Sequence, residues 1–293
     1  MFAEAPAKLN LGLDVVGRRD DGYHDLRTIF QAIDLRDELR FRVSEDSGIH
    51  LTVEGPEPVP TGPENLVVRA GELLDRRSDA GRGAHIHLTK VIPAGTGLGG
   101  GSSDAAATLL GLRELWDLDV DHHALAEMAL ELGSDVPFFL RGGTALGEGR
   151  GERLTELPEP PSCGWLLAIP VFRISTEKAY QALPHRLTPP DLKTRMLEAA
   201  LRRGSFESFA ENITNDLEVG VVRIQPRLAQ IRQELLERGA AGVGLTGSGS
   251  ALFAVFRSQG AAERLVEEGF RPGGVRLLTC APVASGARVI SRN

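Results

Sequence analysis

The chain has 293 residues, 42% hydrophobic and 25% charged, which is ordinary globular composition and enough for one large domain or two of moderate size. A formal net charge of −7 without a long basic run argues against nucleic acid as a partner, and an anionic small molecule would need a locally positive site. No apolar run approaches the ~20 residues that span a bilayer, the N-terminus lacks a signal-peptide pattern, and the two cysteines, Cys163 and Cys280, are far apart, so the expectation is a cytoplasmic protein with no membrane partner and no cysteine framework.

In chain order, "AKLNLGLDVVG" (7–17) alternates and reads as a strand, and "DDGYHD" (20–25) reads as a turn. "LRFRVSE" (39–45) and "IHLTVEG" (49–55) alternate and predict a hairpin. "PENLVVRAGELLDRR" (63–77) has helical spacing, and "AHIHLTKVIP" (84–93) is a strand leading into "PAGTGLGGGSSDAA" (93–106). Beyond those glycines Ala105, Ala106, Leu109, Leu112 and Trp116 mark one helix face, with Ser102 or Ser103 suited to its N-cap and Asp104 to its positive first turn. A helix over 122–133 ends at a glycine, and the Pro-rich 157–162 suits a linker. The second half alternates type: a strand at "GWLLAIP", helices over 191–203 and 226–238, and strands "AGVGLT" and "ALFAVF" around another glycine cluster. Mixed strands and helices without a regular βαβ beat, and without internal repeats, predict an α+β fold. The expected division is an N-terminal domain over 1–156 and a C-terminal domain over 163–293.

The glycine stretch allows three readings. Gly95, Gly97 and Gly100 satisfy G-x-G-x-x-G, but the acids about twenty positions later lie between two helices instead of ending a second strand, which counts against a dinucleotide site. No lysine follows the glycines as a P-loop requires, and no H-R-D or D-F-G occurs for a protein-kinase loop. What remains is a loop that presents free N–H groups at a helix start, where phosphate is the natural occupant. A tight strand-to-helix turn would use one or two glycines and leave the others unexplained.

This stretch resembles the second motif of the GHMP kinases, whose loop cradles the phosphates of ATP. "PAKLNLGLDVVGRRDDGYH" (6–24) is similar to the first motif and "GLTGSGSALFAVF" (244–256) to the third, so the resemblance covers nearly the whole chain. It implies a two-domain α+β GHMP kinase fold: a ribosomal S5 domain 2-like N-terminal domain with a left-handed βαβ crossing, and a ferredoxin-like C-terminal domain. "LGSDVPFFLRGGTALGEGRGE" (132–152) and the Gly-Tyr-His of the first motif resemble members that phosphorylate the 2-hydroxyl of a cytidine-diphosphate methylerythritol. A homoserine- or mevalonate-type kinase and a catalytically silent ligand-binding member are the alternatives.

The resemblance implies roles residue by residue. Lys8 and Asp135 are the catalytic pair, with Asp135 accepting the proton and Lys8 holding hydroxyl and aspartate in place. The ATP loop is Pro93, Ala94, Gly95, Thr96, Gly97, Leu98, Gly99, Gly100, Gly101, Ser102 and Ser103, with Asn65 and Lys90 near the adenine. Magnesium is expected as a second cofactor without a dedicated carboxylate cage, approached by Ser102 or Ser103, with Asp104 either touching it through water or acting only as a helix acid. Tyr23 and Tyr180 flank the cytosine, His24 bonds its edge, Asn10 contacts the substrate, and Gly247, Ser248 and Gly249 add backbone N–H groups. "NITNDLE" (212–218) reads as mainly structural. Thr96 stands where a smaller residue is expected. A monomer or weak homodimer is the expected state.

Overall fold

The polar positions that alternate through the first strand do not face solvent. Strand β1 (Phe2–Arg18) is buried without a break from Ala5 to Val15, and Lys8, Asn10 and Asp14 are 3%, 3% and 4% exposed. Both faces are covered, so here the alternation separates an apolar face from a polar interior one instead of core from water. The computed structural model that shows this describes residues 1–183 and 193–290. The helix expected over 191–203 therefore begins outside the described residues.

β1 pairs antiparallel along its whole length with β2 (His24–Ser44), with irregularities at Pro6/Ala7, Asn10/Gly12 and Val15/Gly17. The first break leaves two residues of β2 unmatched and each of the others one residue of β1, and such irregularities re-aim the neighbouring side chains. Then come β3 (Ile49–Glu54), α1 (Leu66–Ser78), β4 (Gly83–Thr89), α2 (Gly100–Leu115), α3 (His122–Leu132), α4 (Val136–Arg141), β5 (Thr144–Gly149) and β6 (Arg153–Glu156). The hairpin expected over 39–55 does not form. β4 inserts between β2 and β3, antiparallel to the first and parallel to the second, in the order β1-β2-β4-β3. Alternation reports a half-buried strand but not its partner; α1 supplies the crossover that a parallel neighbour requires.

After the 157–163 connection the second half holds β7 (Gly164–Pro170), α5 (Thr176–Gln181), α6 (Lys193–Arg203), α7 (Phe206–Glu211), β8 (Thr214–Asn215), α8 (Leu217–Ile224), α9 (Arg227–Glu237), β9 (Gly242–Leu245), β10 (Leu252–Phe256), α10 (Gln259–Glu267), β11 (Val275–Cys280) and β12 (Arg288–Ile290). β11-β7-β10-β9 form an antiparallel sheet of their own. The 157–163 connection separates the two sheets in sequence, yet β8 and β12 leave the second half and join β1.

The halves also share a core. Ala7, Leu9 and Leu11 of β1 pack in one cluster with Trp165, Leu167, Phe209 and Phe253 of the second half. A second cluster holds the first sheet against α1–α4, and a third fills the C-terminal half. Residues of the two halves therefore meet along β1, and a cleft lined by both halves opens beside it.

Candidate active site

The glycine loop leaves β4 at Thr89 and enters α2 at Gly100, with Gly99 at the N-cap and no side-chain cap bond. The serine cap expected at Ser102 or Ser103 is therefore absent: the helix starts earlier, and Gly99 adopts a left-handed φ of 75° that its Cα tolerates without penalty. Asp104 is correspondingly not a first-turn acid. It is 2% exposed and accepts from Lys90 Nζ at 2.8 Å, while Lys90 also bonds Asp37. Asp37 in turn accepts the backbone N–H of Val91 and Ile92. Burial pushes Asp104 up to about 8, with Lys90 opposing the shift. Thus the lysine expected near the adenine is committed to two carboxylates below the loop.

The loop's carbonyls point into the protein. Those of Ala94, Thr96, Gly97 and Leu98 accept from Arg173 Nε (2.8 Å), Ala251 N (3.1 Å), Thr246 Oγ1 (3.1 Å) and Lys8 N (2.9 Å). Because a trans peptide sets C=O and N–H on opposite sides, the amides that follow are turned the other way. Among the described residues, no N–H from Gly95 to Ser102 has a protein acceptor. This fan opens at the positive end of a 16-residue helix, the geometry that holds phosphate.

The glycine density has a second cause. A methyl group at Gly97 would run into the Thr246 carbonyl, and one at Gly99 would stand 2.7 Å from Phe139 Cζ. Close packing of the loop on the protein thus demands glycine as much as an open anion site does. Thr96 fits because it is buried and its Oγ1 donates to the Pro93 carbonyl at 2.9 Å.

A cavity of about 1230 Å³ gathers most of the expected site. Lys8, Asn10, Tyr23, His24, Asn65, Lys90, Asp135, Tyr180, Gly247 and Ser248 line it, with Pro93 to Gly97 and Gly99 to Ser102. Leu98, Ser103 and Gly249 do not. Leu98 is fully buried in the shared core, Ser103 is fully buried with its hydroxyl unpaired among the described residues, and Gly249 is turned toward Leu245 and Ile174. Asn65 caps α1 by accepting from Val67 N at 2.9 Å.

Lys8 Nζ stands 3.6 Å from Asp135 Oδ2. Lys8 also donates to Asn10 Oδ1, Asn10 Nδ2 to Thr28 Oγ1 at 2.8 Å, and Thr28 Oγ1 to the Gly12 carbonyl at 2.8 Å, so the ammonium is held by a chain of buried partners. Burial lowers the Lys8 pKa, and the charge of Asp135 works against that. Asp135 sits at the N-cap of α4 but makes no cap bond, and its carboxyl is 35% exposed at the cavity. An N-cap aspartate that does not cap keeps its oxygens free for another partner.

At the far end the His24 and Tyr180 rings stack at 4.8 Å, while the Arg150 guanidinium lies 5.0 Å from the centre of the Tyr23 ring, which is 56% exposed. Burial pushes Tyr180 up to about 12, helped by Asp135, and desolvation followed by Arg18 lowers His24. Asn215 of "NITNDLE" donates to the carbonyls of Leu245 and Gly247, both at 2.8 Å, which braces the third glycine cluster. Thr28, Asp37, Thr246 and Arg150 were not legible as site residues. Thr28 and Asp37 lie where the local pattern carries no chemistry, Thr246 and Arg150 lie inside motif stretches that gave them no role, and the fold brings all four against site residues.

The chain that carries this amide fan, lysine–aspartate pair and aromatic end is similar to known proteins. The models of the GHMP kinases N-terminal domain and of the GHMP kinases C-terminal region match residues 65–143 and 197–272. The chain belongs to the GHMP kinase family and is an ATP-dependent small-molecule kinase. Within that family it is 45% identical over 251 residues to 4-diphosphocytidyl-2-C-methyl-D-erythritol kinase of Pelotomaculum thermopropionicum, covering 86% of this chain and 87% of that one. A crystal structure of 4-(cytidine 5'-diphospho)-2C-methyl-D-erythritol kinase superposes with a TM-score of 0.81 at 38% identity, covering 98% of this chain and all (100%) of that one. Homoserine kinase from Cytophaga hutchinsonii superposes equally well, with a TM-score of 0.82 over 99% and 97% of the two chains, but at 22% identity, a likeness of fold alone.

Proposed function

We propose that this chain transfers the γ-phosphoryl group of ATP to the 2-hydroxyl of 4-diphosphocytidyl-2-C-methyl-D-erythritol, a step in the non-mevalonate route to isoprenoid precursors. The observation that carries this reading is that Lys8 and Asp135, 3.6 Å apart, line one cavity together with the glycine loop and the stacked Tyr180 and His24. The relatives above support the choice of acceptor. A homoserine- or mevalonate-type reading rests on fold alone, and a silent member would not need a buried lysine beside a part-exposed carboxylate.

Phosphoryl transfer requires positioning and charge neutralisation more than covalent chemistry. Asp135 accepts the proton of the attacking hydroxyl. Lys8, locked by Asn10, orients both Asp135 and that hydroxyl and offsets negative charge. The amides of Gly95, Gly97 and the start of α2 hold the phosphates, and Asn65 stands toward the adenine. Tyr23 and Tyr180 flank the cytosine, and His24, whose lowered pKa keeps it neutral at neutral pH, bonds its edge. Among the described residues no three acidic, His or Cys side chains are placed to hold a metal. A magnesium ion would be carried by the phosphates and water, with Ser102, which lines the cavity, at the loop. When bound, the ion would neutralise phosphate charge. Among the described residues no helix is long and apolar enough to cross a membrane.

The test is turnover by the purified chain with Mg·ATP and, in parallel, the cytidyl substrate, homoserine and mevalonate. The reading predicts phosphorylation of the first alone. Turnover of homoserine or mevalonate with the cytidyl substrate ignored would overturn it.

A further inference from the structure

Arg173 lies in the short segment between β7 and α5 and joins three stretches that are distant in sequence. Its Nε donates to the Ala94 carbonyl at 2.8 Å, Nη1 to the Pro170 carbonyl at 2.9 Å, and Nη2 to Glu57. Glu57 belongs to the β3–α1 connection, whose Val59 and Pro60 line the cavity, as do Ala94 and Gly95. The arginine stem also lies over Gly95: a methyl group there would stand 3.7 Å from Arg173 Cδ. Yet Arg173 does not line the cavity itself, and its side chain remains one-third exposed at 33%.

An exposed ion pair of this kind contributes little to stability. Its geometric effect is larger. Ala94 C=O and Gly95 N–H share one planar peptide, so fixing the carbonyl on Arg173 aims the first amide of the fan into the cleft. The later amides are aimed by backbone and by Thr246, and only this first one depends on a charged side chain from the second half. The planar fork of arginine can serve carbonyl and carboxylate together, whereas a lysine offers one point charge.

We infer that Arg173 is a positioning residue for the nucleotide: it sets the mouth of the phosphate loop and ties it to the 57–60 connection and to the segment that carries Tyr180. This rests on the proposed nucleotide site and adds a residue that touches neither substrate. The same segment is stitched to the third glycine cluster, with Thr176 Oγ1 and Ser248 Oγ 2.9 Å apart and Ser250 donating to the Phe172 carbonyl at 2.7 Å. The anchor is therefore rigid on its own side.

The experiment is calorimetric titration of the full chain with the magnesium complex of AMPPNP, a non-hydrolysable ATP analogue, alongside thermal melting. Arg173→Met should weaken binding about tenfold, the loss of one well-made charged anchor. Arg173→Lys should recover part of that. Glu57→Gln should weaken binding about threefold, and the double variant should be no worse than Arg173→Met alone. In steady state the KM for ATP should rise with kcat changed less than about twofold, a split that loss of folded protein would not produce. Unchanged affinity in Arg173→Met overturns the inference. If that variant does not fold, Glu57→Gln decides, and unchanged binding there overturns it as well. Failure of the wild-type chain to bind the probe would instead overturn the nucleotide site itself.

Discussion

Lys8 and Asp135 meet at 3.6 Å although one sits in the middle of a long strand and the other at the start of a six-residue helix. Strand β1 buries the lysine, and α4 leaves the carboxyl at the cavity edge, so the cation is the fixed member and the anion the solvent-facing one. Asp135→Asn keeps the shape and removes the proposed proton acceptor. Its kcat should fall by ~10²–10⁴, while affinity for the magnesium complex of AMPPNP stays within about twofold. Turnover close to wild type would remove Asp135 from the base role.

Lys8 itself should titrate abnormally. Burial lowers its pKa below the usual 10.5, and Asp135 partly restores it. Loss of the Asp135 charge should therefore move the Lys8 titration to still lower pH. Following the side-chain nitrogen by NMR, or its pH-dependent acylation, measures both steps. An upward move in Asp135→Asn would contradict the geometry.

Asp104 supplies a pH test of stability. Burial raises its pKa in the fold to about 8, above the ordinary 3.8. The folded chain then binds this proton more tightly than the unfolded chain. Its contribution is present in full below the unfolded value and is lost as pH rises toward the folded one. Neutral, isosteric Asp104→Asn escapes that loss. The melting temperature of the variant minus that of the wild type should grow between about pH 5 and about pH 8. A difference that shrinks across this window refutes the assignment.

Tyr180 should separate the two substrates. Tyr180→Ala removes a stacking face, and the KM for the cytidyl substrate should rise ~10–100-fold with nucleotide affinity unchanged. Tyr180→Phe should behave nearly as wild type. Equal losses for both ligands would mean that the ring shapes the cleft as a whole.

The glycine loop, its helix and the alternating first strand were legible because local spacing encodes them. The sign of that alternation was not. A lysine in a strand ordinarily faces water, and only the covering of β1 by both halves turns Lys8 and Asn10 inward. The expected hairpin over 39–55 failed for a related reason: pairing of β4 with β3 depends on a crossover, which no window of either strand records. Ser103 reads as a cap only if the helix starts late, and the left-handed Gly99 starts it early. The resemblance puts Lys90 near the adenine, and neither local pattern nor motif shows that Asp37, 53 positions away, and Asp104 stand on either side of it.

The pairing of β12 with β1 sets Phe2 opposite Ile290 and Ala3 opposite Val289. β1 thus meets this partner only after everything between the two strands has been made. Until that moment the early edge keeps its hydrogen-bonding groups bare, and such edges invite association with other chains. Completion of this sheet edge therefore waits for β12, and a change that crowds either strand would press on both.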